Sequence, residues 1–178
     1  MKNIKHQNIS RITLFLISLF WVTKLVAQDI SFNYLSTENG LSQFTAYCLY
    51  KDELGRIWIG THDGLNVYNG NWVRSYKPER GNEHSIVGKD VRRICGDGKG
   101  HLYIQTIEGI CIFDMYSETF ETIQKGPGHS ITYSSDTLLI GGNGSVYYYD
   151  VLNHQVKPYC SLEGDIQVSS LLKDKTGR

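Results

Sequence analysis

The chain has 178 residues with 18 basic and 18 acidic side chains, a balance that excludes recognition of nucleic acid or acidic lipid by overall charge, so a partner must be read locally. A hydrophobic content of 40% and an aromatic content of 12%, with 12 Tyr and only 3 Pro, exclude a disordered chain and mark a globular one. Tyr and the β-branched residues point toward strands.

In chain order, the first segment reads differently from the rest. Lys2, Lys5 and Arg11 precede an apolar run from Ile12 to Val22, and small Ala27 follows before Gln28 and Asp29. This is the three-part layout of a secretory signal peptide, so residues 1–28 are expected to direct export with cleavage near Ala27. The run falls short of the roughly 20 apolar residues of a spanning helix; an uncleaved anchor is the alternative, and no Cys follows to carry a lipid. Residues 29–178 then lie outside the cytoplasm. Export makes Cys48, Cys95, Cys111 and Cys160 candidates for disulfides. Their spacing is irregular, none forms a CxxC pair and no His stands at zinc-finger spacing, which argues against a metal site. They are read first as small buried apolar residues on strands, with a bridge as the alternative.

The body repeats itself. Gly55 to Asn69 reads GRIWIGTHDGLNVYN, Gly100 to Asp114 reads GHLYIQTIEGICIFD, and Asp136 to Asp150 reads DTLLIGGNGSVYYYD, aligned without gaps and beginning 45 and 36 residues apart. A further opening, LLKDKTGR from Leu171 to Arg178, matches LYKDELGR from Leu49 to Arg56. Asp52 with Gly55, Asp97 with Gly100, and Asp174 with Gly177 share an Asp-x-x-Gly spacing that suits a tight turn, the Asp capping backbone amides and the Gly taking positive φ. Each turn is expected to lead into a strand: Ile57-Trp58-Ile59, Leu102-Tyr103-Ile104, Leu138-Leu139-Ile140. Consecutive apolar residues there require cover on both faces. Turns at Asp63-Gly64, Glu108-Gly109 and Gly144 lead to strands over Leu65 to Tyr68, Ile110 to Phe113 and Val146 to Tyr149. Strands are also expected over Trp72 to Tyr76, Phe120 to Ile123 and Val156 to Tyr159, and before each Asp turn, as in Ala46 to Tyr50 and Val91 to Cys95. Four short strands in a repeat of roughly 40 residues predict an all-β fold of β-propeller blades. Blades are expected over residues 41–85, 86–126 and 127–165, with the start of a fourth at 166–178.

These residues resemble a known family. Glu38-Asn39-Gly40-Leu41-Ser42, then Asp52, Gly55, Ile57 to Thr61 and Gly64 to Tyr68, are similar to the two-component regulator propeller repeat of periplasmic sensor regions in Bacteroidetes hybrid two-component histidine kinases. The likeness spans Ile30 to Arg178 and is fullest in the first copy. In the second, Tyr103 replaces Trp and Gln105 replaces Gly; in the third, Tyr133 stands at the turn Asp and Gly144-Ser145 replaces Asp-Gly. The resemblance implies a periplasmic location, inner-membrane-anchored full-length relatives, and a strand around Phe32 to Leu35 that pairs with the last blade of a ring. Relatives continue into a membrane helix and a kinase. No kinase His box or nucleotide-binding motif is present here, so the chain is expected to be an N-terminal fragment of the sensing end: about three blades, not an enzyme, and prone to self-association through exposed blade faces. An oligosaccharide or other small ligand is the partner the resemblance implies; nucleic acid is not, nor is membrane contact beyond the signal segment.

Chemical candidates are few. His6, His62, His84, His101, His129 and His154 share no metal-ligand spacing and read as surface and loop positions. Asp52, Asp97 and Asp174 recur because the turn recurs, whereas an acid–base pair needs unlike environments. The glycine-rich Gly141 to Gly144 lacks the Lys-Ser/Thr of a phosphate loop and reads as a hairpin turn. Trp58 and Tyr103 read as buried between blades; Trp72, Tyr76 and the run Tyr147-Tyr148-Tyr149 could stack on sugars, but no residue is assigned as a ligand contact. No catalytic residue, cofactor or metal is expected. The alternative reading, a secreted propeller lyase or hydrolase acting on glycans, would need non-repeating His, Tyr, Arg or carboxylate residues at the inner-strand ends. None is evident in the sequence.

Overall fold

The computed structural model describes residues 32, 34–126, 130–134, 136–151, 153–164 and 166–172. Two compact units divide the chain, Met1–Tyr34 and Leu35–Arg178. In the first, Phe32 and Tyr34 are described and exposed. The expected signal segment, the continuation of the fourth copy at 173–178 with Asp174 and Gly177, and His6 and His129 lie outside the described residues.

The second unit holds twelve strands in three antiparallel sheets of four, each in sequential order. The first sheet is β1 (Ala46–Lys51), β2 (Ile57–Thr61), β3 (Gly64–Tyr68) and β4 (Val73–Tyr76). The second is β5 (Val91–Gly96), β6 (His101–Thr106), β7 (Gly109–Asp114) and β8 (Thr119–Lys125), and the third β9 (Ser130–Ser134), β10 (Thr137–Gly141), β11 (Ser145–Asp150) and β12 (Gln155–Ser161). These are propeller blades. Contacts between sheets concentrate on β1, β5 and β9, so the first strand of each blade is the inner one. Trp72 lies just outside β4, and the described residues Phe32, Tyr34 and Leu35 form no strand. The strand expected there is not seen among them; Ser36 then caps a 3-10 turn at Thr37–Asn39. That turn closes on Gly40 at a φ of 99°, which an L side chain rarely adopts. The chain then docks through buried Leu41 and through the Ser42 amide, which donates to Asn66 Oδ1 at 2.9 Å.

Strand alternation decides which sheet each residue faces. Trp58, Leu65 and Val67 of the first sheet pack with Leu102, Ile104, Phe113 and Phe120 of the second, with the Trp58 and Phe113 ring centroids 5.3 Å apart. Tyr103 and Ile110, on the opposite face of the second sheet, pack with Ile131, Leu138, Ile140 and Tyr149 of the third. The second sheet is therefore covered on both faces, as its run of apolar residues requires. The outer sheets leave Leu49 and Tyr159 about two-thirds exposed, at 67% and 65%.

The Asp turns hold as their chemistry dictates. Asp52 Oδ1 accepts from the amides of Leu54 and Arg56, and Oδ2 from Arg56 Nε at 2.6 Å and Trp58 Nε1 at 2.9 Å. Asp97 repeats the pattern on Lys99, His101 and the His101 ring. Burial pushes the Asp52 carboxyl up, but the hydrogen bonds from Trp58 and Arg56 outweigh it and hold it below the usual range. The third copy departs from the gapless alignment. Tyr133 pairs with Leu138 as Gly96 pairs with Leu102, so Tyr133 lies within the strand, which runs on to Ser134, and is not the turn residue. The turn is one residue shorter, and Asp136 takes a φ of 58° where the other copies have glycine. Gly141 to Gly144 form a hairpin turn, with the Gly142 amide donating to Ser145 O at 2.8 Å. The strap from 162 to 168 also pairs onto this turn, through Gly144 N to Ile166 O and Val168 N to Gly142 O.

Candidate functional site

Two cavities, each of about 730 Å³, flank the second sheet on its side toward the third. They share no residue. One is a cleft between the two sheets at the Asp-turn end; the other lies on the inner strands.

The cleft is built from the turns. The β5–β6 turn brings Asp97, Lys99 and His101, the β9–β10 turn brings Tyr133 and Asp136, and the β11–β12 turn brings His154, with Glu121 entering from β8. Tyr103 and Tyr149 form its buried floor, and the Tyr133 ring stacks on Tyr103 at 5.2 Å. Two polar contacts bridge the sheets across it, the ion pair of Lys99 Nζ with Asp136 Oδ1 at 2.6 Å and the approach of His154 Nδ1 to Glu121 Oε1 at 3.1 Å. His101 Nδ1 stands 2.7 Å from Asp97 Oδ2. Tyr149 Oη lies 3.2 Å from the same His154 nitrogen. Burial pushes the Tyr149 phenol up to about 12, so it keeps its proton at neutral pH and is a hydrogen-bonding group, not a base.

A second polar group gathers at the end of inner strand β5. Asp90, 1% exposed, accepts from Arg92 Nη2 at 2.8 Å on Oδ2 and has Arg92 Nε at ion-pair distance, 2.6 Å, from Oδ1, while His62 Nδ1 stands 2.8 Å from Oδ2. The Arg92 guanidinium covers the Tyr47 ring at 4.0 Å. This corrects the expectation that no non-repeating His, Tyr, Arg or carboxylate stands at the inner-strand ends. Sequence reasoning missed it because its members come from β1, the β2–β3 turn and the approach to β5, and meet only when the sheets pack.

The remaining candidates fall as follows. Trp58 and Tyr103 are buried at 1% and 3% exposure, as expected, and Trp72 is half exposed at 51%. Tyr76, on β4, stacks on Trp58 at 6.1 Å and meets Phe113 at 5.1 Å. Of the tyrosine run, Tyr149 is buried while Tyr147 and Tyr148 are half-buried. His62, His84 and His154 are exposed and lie outside the strands, while His101 is half-buried on β6; His62, His101 and His154 stand beside carboxylates, and His84 lines the cleft. All four cysteines are free thiols on strands; Cys111 is buried and Cys160 exposed, so the burial expected of Cys160 does not hold. Burial raises the thiols of Cys48 to about 11 and of Cys95 and Cys111 to about 12, which leaves them protonated and unreactive at neutral pH. Among the described residues no cluster of His, Cys, Asp and Glu could hold a metal ion. No described helix is long and apolar enough to cross a membrane.

Three four-stranded sheets with inner and outer strands in sequential order define a β-propeller protein. The family model of the two component regulator propeller matches residues 40–63. It is 35% identical over 60 residues to histidine kinase P4 of Formosa agariphila, spanning 33% of this chain and 4% of that one. Its fold matches the extracellular domain of a hybrid two component system of B. thetaiotaomicron with a TM-score of 0.63 and 21% identity, over 71% of this chain and 20% of that one. The extracellular domain of a one component system of the same organism matches with a TM-score of 0.69 and 17% identity, over 84% of this chain and 22% of that one. The chain thus corresponds to about a fifth of either solved domain.

Proposed function

We propose that the chain is part of the ligand-sensing propeller of a periplasmic two-component receptor, that it binds without catalysing a reaction, and that its ligand is saccharide-derived. The cleft between the second and third sheets carries this reading. Its lining combines tyrosine rings with carboxylates, imidazoles and an ammonium group, a pairing of apolar surface and placed polar groups suited to a sugar's C–H face and hydroxyls. Its carboxylates are committed to turns and polar contacts, and its Tyr–His–Glu chain holds a protonated phenol. Neither supplies the base that a lyase or the raised-pKa acid that a hydrolase needs. The similar solved structures, extracellular domains of signalling systems, support the location.

Calorimetric titration with a panel of neutral oligosaccharides, followed by chromatography of the recovered sugars, tests this. Binding is expected, with the sugars returned intact, and Tyr133→Ala is expected to weaken it roughly tenfold, as loss of one stacking and hydrogen-bonding side chain implies. Cleaved products would favour the secreted enzyme instead.

A further inference from the structure

The second sheet breaks the repeat at one cross-strand pair. On its inner edge Arg93 lies opposite Gln105; the matching pairs are Cys48 with Gly60 in the first sheet and Ser130 with Gly141 in the third. Both glycines are forced by packing. A Cβ at Gly60 would lie 2.5 Å from Cys48 Sγ and 2.7 Å from Val91, and one at Gly141 would collide with Ser130 Oγ and Val168. Gln105 fills the position that its counterparts must keep empty, and it is itself only 5% exposed. The cavity opens at this point, lined by Arg93, Gln105, Arg92, Tyr47 and Thr132 among others and, among the described residues, by no carboxylate.

The two guanidinium groups there differ. Arg92 is neutralised by Asp90. Arg93 has a neutral partner, the carbonyl of Ser169 at 2.7 Å, and no carboxylate within ion-pair distance among the described residues. One of its five N–H donors is used in that bond, so donors remain for a planar oxyanion. Its charge reaches the cavity wall, where it opposes the rise that burial imposes on the Cys48 thiol.

We propose that this inner-strand cavity binds an oxyanion, the carboxylate or sulfate of a small acidic sugar, with Arg93 as the charged fork and Gln105 beside it shaping the wall. The site is independent of the cleft, with which it shares no residue, so it stands or falls separately from the neutral-sugar reading.

The test is calorimetry on the full chain at low ionic strength with glucuronate, glucose 6-sulfate and glucose as probes. Either acid sugar should bind, and which of them does so identifies carboxylate or sulfate as the group recognised; glucose should not compete. Binding should weaken as salt is added. Arg93→Gln should lose roughly tenfold or more in affinity, the usual weight of a hydrogen-bonded charge, and Gln105→Gly, which installs the residue both other sheets carry, should lose several-fold. Arg93→Lys keeps the charge and a donor to Ser169 but not the fork, so several-fold weaker binding is expected even if Arg93→Gln does not fold. The proposal is overturned if neither acid sugar binds the folded chain, or if Arg93→Gln or Arg93→Lys binds as the wild type does. A lower melting temperature with unchanged affinity would make Arg93 only an anchor for the strap at Ser169.

Discussion

The first and second sheets share a fold almost residue for residue but differ in what surrounds them and in what they carry at the inner edge. The second is sandwiched, Leu102 and Ile104 facing one neighbour and Tyr103 the other, each 3% exposed or less. The first buries Trp58 at 1% exposure while its other face leaves Ile57 at 37% and Leu49 at 67%. At the inner edge the first sheet keeps the small pair Cys48 and Gly60, against which Val91 packs closely; the second holds Arg93 and Gln105 beside a cavity. The contrast teaches that the repeat's apolar and turn positions serve stacking, and that binding chemistry enters where a blade departs from the repeat.

The sharpest way to break this comparison is at the stacking positions. Trp58→Ala removes a buried aromatic that also donates to Asp52, and should cost about 4 kcal/mol, read by denaturant melts; a loss below about 1 kcal/mol would mean that the sheets do not depend on it. Asp52→Ala should cost about 2 kcal/mol, since it strands a buried indole N–H and two turn amides. Asp97→Ala should cost a similar amount, its capping bonds being of the same kind.

Acid should act through these same carboxylates. Both are held below their ordinary value in the folded chain, the hydrogen bonds outweighing burial. Their contribution is therefore fully present above the ordinary carboxylate pKa of about 4 and lost as pH falls through the lower folded value. Thermal melts should be flat in this respect from pH 7 to about 5 and fall below about 4; Asp52→Asn should remove part of that fall. The open faces should matter next. Leu49→Lys and Tyr159→Lys place charge on the exposed outer faces and should reduce self-association in light scattering while leaving the melt unchanged. The smallest effect belongs to Trp72→Ala, whose half-exposed ring should cost less than about 0.5 kcal/mol.

Much of this was legible in the sequence. Turn spacing and paired apolar residues located the strands, and burial of Trp58 and Tyr103 followed from apolar neighbours on both sides. What was not legible depends on partners brought together from distant parts of the chain. A gapless alignment put Tyr133 in the turn because it could not register the one-residue shortening that Asp136 at positive φ allows. Tyr76 is expected on a strand with its role left open, and it completes the stack with Trp58 and Phe113. Asp90 gathers His62 and Arg92 only once β5 lies beside β1. The signal that could have led to the inner site was visible, since Gln105 stands where both other copies have glycine, but it registered as a weaker match to the repeat and not as a side chain placed for a reason.

The central claim, that departures from the repeat mark where the chain binds, is tested most directly by an amide NMR titration of the full chain with a neutral oligosaccharide panel and with glucuronate. The account predicts two separate sets of shifted amides: Lys99 to His101, Tyr133 and His154 for the neutral sugars, and Arg93, Gln105 and Thr132 for glucuronate, with the turns at Asp52 and Gly55 unmoved. Shifts centred on the turn at Asp52 to Gly55, or none in either cavity on a folded chain, would contradict it.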